Sequence, residues 1–247
     1  MTLETETVQI PLPDGGSMGG YLARPAEDGP HPGVLIFMEI FGVNGHIRDV
    51  TERIAREGFV ALAPDYFHRT AAGVELEYTD EGMQEGMGYL NQLVADEMIS
   101  DAQAAASFLE SREEVGGAGL GAVGFCIGGH MTYLTACTSN IKAAASYYGG
   151  GIAGPAGPGG APSTLSRTPG IQGRIHCYFG ANDSMIPPEQ VEAVRQALEE
   201  AGKRHEVIVY EGADHGFNCD QRATFQSAAA EDAWRRSIAL FNEELRG

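Results

Sequence analysis

Short unbroken apolar runs alternate along this chain with segments whose apolar residues recur at helical spacing. Val34-Leu35-Ile36-Phe37, Phe59 to Ala63, Leu120 to Phe125, Ala143 to Tyr148 and Ile175 to Phe179 are the runs, each short enough to be a strand covered on both faces, and His205 to Tyr210 reads as a final strand. Between them, Ile47, Val50 and Ile54 mark a helix over 44–56, with Asn44 placed to cap its start and Gly58 to end it. Val94, Met98, Ala102, Ala105 and Leu109 mark a second helix over 90–110, and Ile127, Met131, Leu134 and Thr138 a third with one face on the sheet. Pro188 to Ala201 and Ser227 to Leu245 complete the set. This alternation specifies a mostly parallel α/β sheet with helices on both faces. Val8 to Ile10 and Met18 to Leu22 flank the turn Pro13-Asp14-Gly15-Gly16, which predicts an antiparallel hairpin at a sheet edge.

Two stretches lack either period. Residues 66–89 mix glycine, aromatic, methionine and acidic residues and read as a long loop with short helical pieces, a length often associated with function. Gly149 to Ser163, rich in glycine and proline, is a surface loop or a disordered linker, and the alternation that resumes beyond it favours the loop. Gly116 to Gly119 is the break before the strand that starts at Leu120. The whole chain, 1–247, is most simply one domain.

Composition narrows the classes. The formal net charge of −18 argues against nucleic acid and anionic membrane surfaces as partners, because the field of the whole molecule repels them. A local arginine could still hold a small anion, since a diffuse field is screened beyond about 10 Å at moderate ionic strength. The first ten residues, with Glu4 and Glu6, do not resemble a signal peptide, and no stretch approaches the ~20 apolar residues of a membrane span. A cytoplasmic location is the expectation. Cysteines 126, 137, 177 and 219 have no Cys-x-x-Cys pairing, so neither a zinc site nor a disulfide framework is expected, and no metal or organic cofactor is called for.

The chemistry gathers just past the predicted strand ends, where the crevice of an open α/β sheet lies. Gly124-Phe125-Cys126-Ile127-Gly128-Gly129 follows one apolar run and opens a helix. It fits the nucleophile-elbow pattern Gly-x-Ser-x-Gly with cysteine in place of serine, although glycine-rich turns of this kind also cradle phosphates or serve structure alone. Asp183 in Gly180-Ala181-Asn182-Asp183, and His215 in Gly212-Ala213-Asp214-His215-Gly216-Phe217, follow two later strands, and Glu39 follows the first. A thiol needs a base to become thiolate near neutrality, and a histidine needs a carboxylate to fix its tautomer and stabilise its charge. Nucleophile, acid, histidine is the chain order of α/β-hydrolases. Asp183 could instead be a turn former ahead of Pro187-Pro188, and Asp214 competes with it as the partner of His215. Glu39, between Met38 and Ile40, either points to solvent or is buried with a partner or a proton. Cys137, Cys177 and Cys219 read as small packed side chains.

Taken in order, Glu39-Ile40-Phe41-Gly42, Ala61-Leu62-Ala63-Pro64-Asp65, the Cys126 elbow, Gly180 to Asp183 and His215-Gly216-Phe217 resemble the dienelactone hydrolase family of α/β-hydrolases over nearly the whole chain. The resemblance implies a triad of Cys126, Asp183 and His215, with Glu39 as an extra carboxylate that helps activate the thiol when substrate arrives. It further implies an oxyanion hole from the backbone N–H groups of Ile127 and Ile40, and hydrolysis of a small ester or lactone through a thioester. One departure stands out. The family's substrate-binding arginines are missing, since Phe217-Asn218-Cys219-Asp220 follows the histidine and Glu75 to Tyr89 holds no arginine. Arg69 and Arg222 are the candidates to replace them. A different class of function, a non-hydrolytic thiol protein that senses redox state or binds a small ligand on the same fold, would use Cys126 without the rest.

Overall fold

The computed structural model describes residues 2–27 and 29–246. Eight strands form one sheet: β1 (Leu3–Pro11), β2 (Ser17–Pro25), β3 (His31–Phe37), β4 (Val60–Pro64), β5 (Val115–Phe125), β6 (Ile141–Tyr147), β7 (Arg174–Gly180) and β8 (Arg204–Tyr210). Their order across the sheet is β1-β2-β4-β3-β5-β6-β7-β8. β1 and β2 pair antiparallel, β2 joins β4 antiparallel, and every other pairing is parallel. The N-terminal hairpin is therefore real and lies at an edge, as its turn chemistry predicts.

The order fixes where a site can form. From β3 the chain steps outward to β4 and then crosses back to lay β5 on the other side of β3. Such a reversal opens a crevice between the carboxyl ends of β3 and β5, because the connections there run to opposite sides. Glu39 lies just past the end of β3, and Cys126 directly follows β5.

Helices α1 (Gly45–Arg56), α2 (Asp80–Leu90), α3 (Ala95–Glu110), α4 (Ile127–Thr138), α5 (Pro188–Glu200) and α6 (Ser227–Leu245) flank the sheet. β5 shows how closely. A Cβ on Gly121 would meet Phe241 and Leu245 of α6, while one on Gly124 would meet Gly128 and Thr132 of α4. Positions an odd number apart on a strand face opposite ways, so α6 and α4 cover opposite faces. Asn44 accepts the N–H of Ile47 through its side chain at 3.2 Å, and Gly58 at φ 87° turns the chain out of α1, as expected.

The structure departs from the sequence pattern at four places. Within 66–89 it forms α2, capped by Thr79, whose only buried residues are Gly82 and Gly86. Its apolar residues, Met83, Met87 and Leu90, recur at helical spacing but are only half-buried against the core, interrupted by three glycines. The next helix starts at Ala95 instead of residue 90, because Asn91 closes α2 and Val94 is extended. β5 runs back through Gly116 to Gly119, with His31 paired to Val115 across a register shift. Finally, α4 is buried from Ile127 to Cys137 on every side, not on one face, since α3 and the 3-10 turn Thr164–Gly170 cover what the sheet does not. Residues 149–163 form an ordered loop with one 3-10 turn, Pro158–Gly160, and a bridge between Ala156 and Pro162. Among the described residues no helix is long and apolar enough to cross a membrane.

The approach of α4 to the sheet supplies a stability test. A Cβ on Gly128 would lie 2.1 Å from the Phe37 carbonyl oxygen, backbone that has no room to retreat. Gly128→Ala is expected to lower unfolding free energy by about 2 kcal/mol or more in urea titrations. Gly88→Ala, on α2 with open space around it, is expected to be neutral or to stabilise by up to about 1 kcal/mol.

Candidate active site

Cys126 sits between β5 and α4 at φ 59° and ψ −122°, a conformation that costs a side-chain-bearing residue about 1–3 kcal/mol. Glycine neighbours make it possible. A Cβ on Gly124 would fall 2.1 Å from the Gly128 carbonyl oxygen, and one on Gly129 would fall 2.4 Å from that of Tyr147. The strand end, the turn and the helix start therefore touch backbone to backbone, and the N–H of Cys126 donates to the Tyr147 carbonyl at 3.1 Å. The thiol is thrust from this turn at the positive end of α4. It remains partly exposed, whereas Cys137, Cys177 and Cys219 are buried.

Asp183 and His215 reach the same place from β7 and β8. β8 lies three strands from β5, so its loop must fold back over the sheet end. Two hydrogen bonds hold it there: the Ala181 N–H donates to the Tyr210 carbonyl at 2.9 Å, and the Asn182 N–H to that of Ala213 at 2.8 Å. His215 Nδ1 meets Asp183 Oδ2 at 2.8 Å, with both residues buried. A carboxylate only accepts, so Nδ1 carries the proton. Nε2 is left buried without an oxygen or nitrogen partner, on the side of Cys126. Asp214 spends Oδ1 on the N–H of His215 itself, so Asp183 is the partner of the ring. Burial alone would pull the His215 pKa down, but the neighbouring Cys126 and the Asp183 hydrogen bond outweigh it and raise the pKa to about 10.

Glu39 is fully buried, not solvent-facing. Arg222 Nη1 donates to Oε1 at 3.3 Å, and the Tyr78 hydroxyl donates to Oε2 at 2.9 Å. The guanidinium also lies 5.9 Å from the ring centre of Phe41 and 6.0 Å from that of Tyr78. Gly216, at φ 82°, leaves room for it, since a Cβ there would come within 2.5 Å of Nη1. Burial and the nearby Glu39 push the Tyr78 phenol up, which keeps its O–H a donor. Glu39, His46 and Cys219 place donor atoms within 4.8 Å of one another, a set a metal could in principle use. Arg222 already supplies the positive charge on Glu39, and burial followed by the Glu39 charge pushes the Cys219 thiol up to about 12.

Sequence reasoning missed Tyr78 and Tyr148. Tyr148 is fully buried at φ 37° and packs edge-on against His215 with centroids 5.1 Å apart. Only its unusual backbone marks it, and no sequence pattern encodes that. Arg69 is a correction. Its guanidinium is bound to both oxygens of buried Asp101 and to Asp14 of the hairpin turn, and it does not line the cleft at Cys126. That cleft, about 400 Å³, is bounded by Cys126, Ile127, His130 and His215, the Leu90–Leu93 turn, and the backbone of the 156–159 loop. A larger hollow of about 610 Å³ lies at the opposite end of the sheet around Pro30 and Arg112, and among the described residues neither cysteine nor histidine lines it.

An eight-stranded, mostly parallel sheet with a strained strand-turn-helix cysteine, an Asp-His pair and a cleft over its carboxyl edge defines an α/β-hydrolase fold. The model of the dienelactone hydrolase family matches residues 18–245, and the chain belongs to that family of hydrolases. A Synechocystis protein named "Putative carboxymethylenebutenolidase" is 42% identical over 247 residues, with all of both chains covered. An Escherichia coli K12 protein of the same name is 35% identical over 93% of this chain and 83% of its own. A crystal structure from Klebsiella pneumoniae, titled as that of a "Putative Dienelactone Hydrolase", shares 33% identity and superposes with a TM-score of 0.89 over 98% of this chain and 100% of that one.

Two outcomes test this arrangement. Arg222→Met strands a buried carboxylate and is expected to cost about 3 kcal/mol in denaturant unfolding, most of it recovered when Glu39→Gln is added. His130, whose ring nitrogens meet the Gly150 carbonyl and the Thr164 hydroxyl, is held neutral by burial, with its pKa lowered to about 4. The unfolded chain binds that proton from about pH 6.5 downward and the folded chain does not, so stability falls as pH drops from about 6.5 to 4, by up to about 1.4 kcal/mol per pH unit. His130→Gln is expected to flatten that slope in unfolding measured across the same range.

Proposed function

We propose that the protein hydrolyses small carboxylic esters or lactones with Cys126 as nucleophile, His215 as general base and acid, and Asp183 as the partner that fixes and stabilises the imidazole. The observation that carries this reading is the buried His215–Asp183 hydrogen bond of 2.8 Å, which leaves Nε2 free on the side of the strained, partly exposed cysteine. The Cys126 sulfur attacks the carbonyl carbon, and its electron pair moves onto the carbonyl oxygen. The tetrahedral intermediate collapses to a thioester as the leaving alkoxide takes a proton from His215 Nε2. Water then gives a proton to Nε2 as its oxygen attacks the thioester, and the carboxylic acid departs with the thiolate restored.

The oxyanion would rest on the backbone N–H groups of Ile127 and Ile40. Ile127 opens α4, where a helix has N–H groups without acceptors. Ile40 is held from outside by α2, since the Ile40 carbonyl lies against Gly86. Losing one such donor costs about 100- to 1,000-fold in turnover in other enzymes. Glu39, held by Arg222 and Tyr78 in this conformation, would act on the thiol once substrate displaces that grip. Arg222 would thus serve the reaction through Glu39.

The decisive experiment is a panel of 4-nitrophenyl esters and simple lactones with wild type, Cys126→Ala and His215→Ala. Both variants are expected to lose at least about 1,000-fold in kcat, and mass spectrometry of rapidly quenched wild type should find the acyl group on Cys126. Full rates in both variants, or an acyl group on another residue, would remove the triad reading.

A further inference from the structure

We propose that Glu39, His46 and Cys219 form a site for a thiophilic divalent cation of the zinc class, separate from the Cys126 thiol. His46 is the residue that points to it. Its imidazole, in the first turn of α1, is fully buried, and neither ring nitrogen meets a hydrogen-bond partner. A buried polar group left without a partner is costly.

Three segments bring the donors together, and no local spacing announces them. Glu39 follows β3, His46 opens α1 and Cys219 lies on the loop after β8, yet a carboxylate oxygen, a ring nitrogen and the sulfur all lie within 4.8 Å of one another. Ligands on one tetrahedral zinc stand roughly 3.3–3.8 Å apart, given bonds of about 2.0–2.3 Å, so small side-chain rotations complete the set. Carboxylate, imidazole and thiolate together suit zinc, whereas magnesium and calcium take oxygen.

Glu39 has lone pairs to spare. An ionised carboxylate offers about four, and here Arg222 uses one on Oε1 and the Tyr78 hydroxyl one on Oε2. A cation can therefore join Glu39 while Arg222 stays in place. Asp220 Oδ1 stands 3.7 Å from His46 Nδ1 and favours the tautomer with its proton there, which leaves the Nε2 lone pair for a metal. A carboxylate behind the ring is the outer partner that metal-binding histidines use. The Cys219 thiol gives its proton to solvent as its sulfur bonds the cation, so one proton leaves for each ion bound. Beside Gly45 and Tyr78, a hollow of about 520 Å³ carries Glu75 and Glu77 on its wall and gives cations an acidic approach. On the hydrolase reading above, a bound cation pins Glu39 in the grip that substrate must release, and so inhibits.

The test uses full-length Cys126→Ala protein stripped with EDTA, so that the exposed thiol takes no part and catalysis is not the readout. This protein is expected to bind one equivalent of zinc in calorimetric titration, and cobalt(II) with a thiolate-to-cobalt absorption band. Adding Cys219→Ala or His46→Phe should each weaken zinc binding by at least about 100-fold, and adding Asp220→Asn by about 10-fold. His46→Phe removes two orphaned nitrogens and keeps a ring in place, and circular dichroism checks that its fold is retained. Absence of zinc binding, or equal binding in the Cys219→Ala and His46→Phe proteins, would overturn the site. With Cys126 intact, zinc is expected to slow 4-nitrophenyl ester turnover, and Cys219→Ala to need at least about 10-fold more zinc for the same loss. An equal loss in Cys219→Ala would overturn the inhibitory role. No turnover before zinc is added would instead remove the hydrolase reading, while the titrations still decide the metal site.

Discussion

Backbone-to-backbone contact at the end of β5 is the constraint on which the molecule turns. Three glycines of the Cys126 elbow lie where a single methyl group would meet a carbonyl oxygen at 2.1 to 2.4 Å: Gly124 against Gly128, Gly128 against Phe37, and Gly129 against Tyr147. These contacts seat α4 on the sheet and hold the cysteine in a conformation it would otherwise leave. They also set the position of β3, whose carbonyl groups lie against Gly128, and so the starting point of Glu39. A local choice of residue thus determines how three elements meet, and the site inherits its geometry from that meeting.

Electrostatics then follows from neutralisation at short range. Within an acidic molecule, the centre keeps its charges in closed sets: Asp183 with His215 and the cysteine, Glu39 with Arg222 and Tyr78. The carboxylate of each set, Asp183 or Glu39, is buried, where unpaired charge is costly and paired charge holds one geometry. The cleft above them is left apolar as a result.

Most of this was legible in the sequence, and the reasons differ by element. The parallel strands were plain because strands covered on both faces read as unbroken apolar runs, and the hairpin because Pro13-Asp14-Gly15 is turn chemistry. Cys126, Asp183, His215 and Glu39 could be found because the fold places chemistry at strand ends, and strand ends can be read. What could not be read depends on packing between distant segments. α2 hides because its fully buried positions are Gly82 and Gly86, while Met83, Met87 and Leu90 are only half-buried among its glycines. The pairing of Arg222 with Glu39 spans 183 positions and follows no local spacing, and Tyr148 is distinguished only by a backbone angle. Arg69 carried the right charge, but Asp101 on α3 claimed it.

Asp183 and His215 hang from β7 and β8, and β8 is the last strand of the sheet, with a neighbour on one side only. Cys126 instead grows from β5, held between two strands and beneath a helix buried from Ile127 to Cys137. Edge elements open at lower free energy than central ones. A fluctuation that peels β8 from β7 would carry His215 away while Cys126 stays where it is, so the candidate site comes apart through partial opening well before the core gives way. The fold thus separates what must be rigid, the strained thiol, from what governs the working lifetime of the molecule, the seam along its far edge.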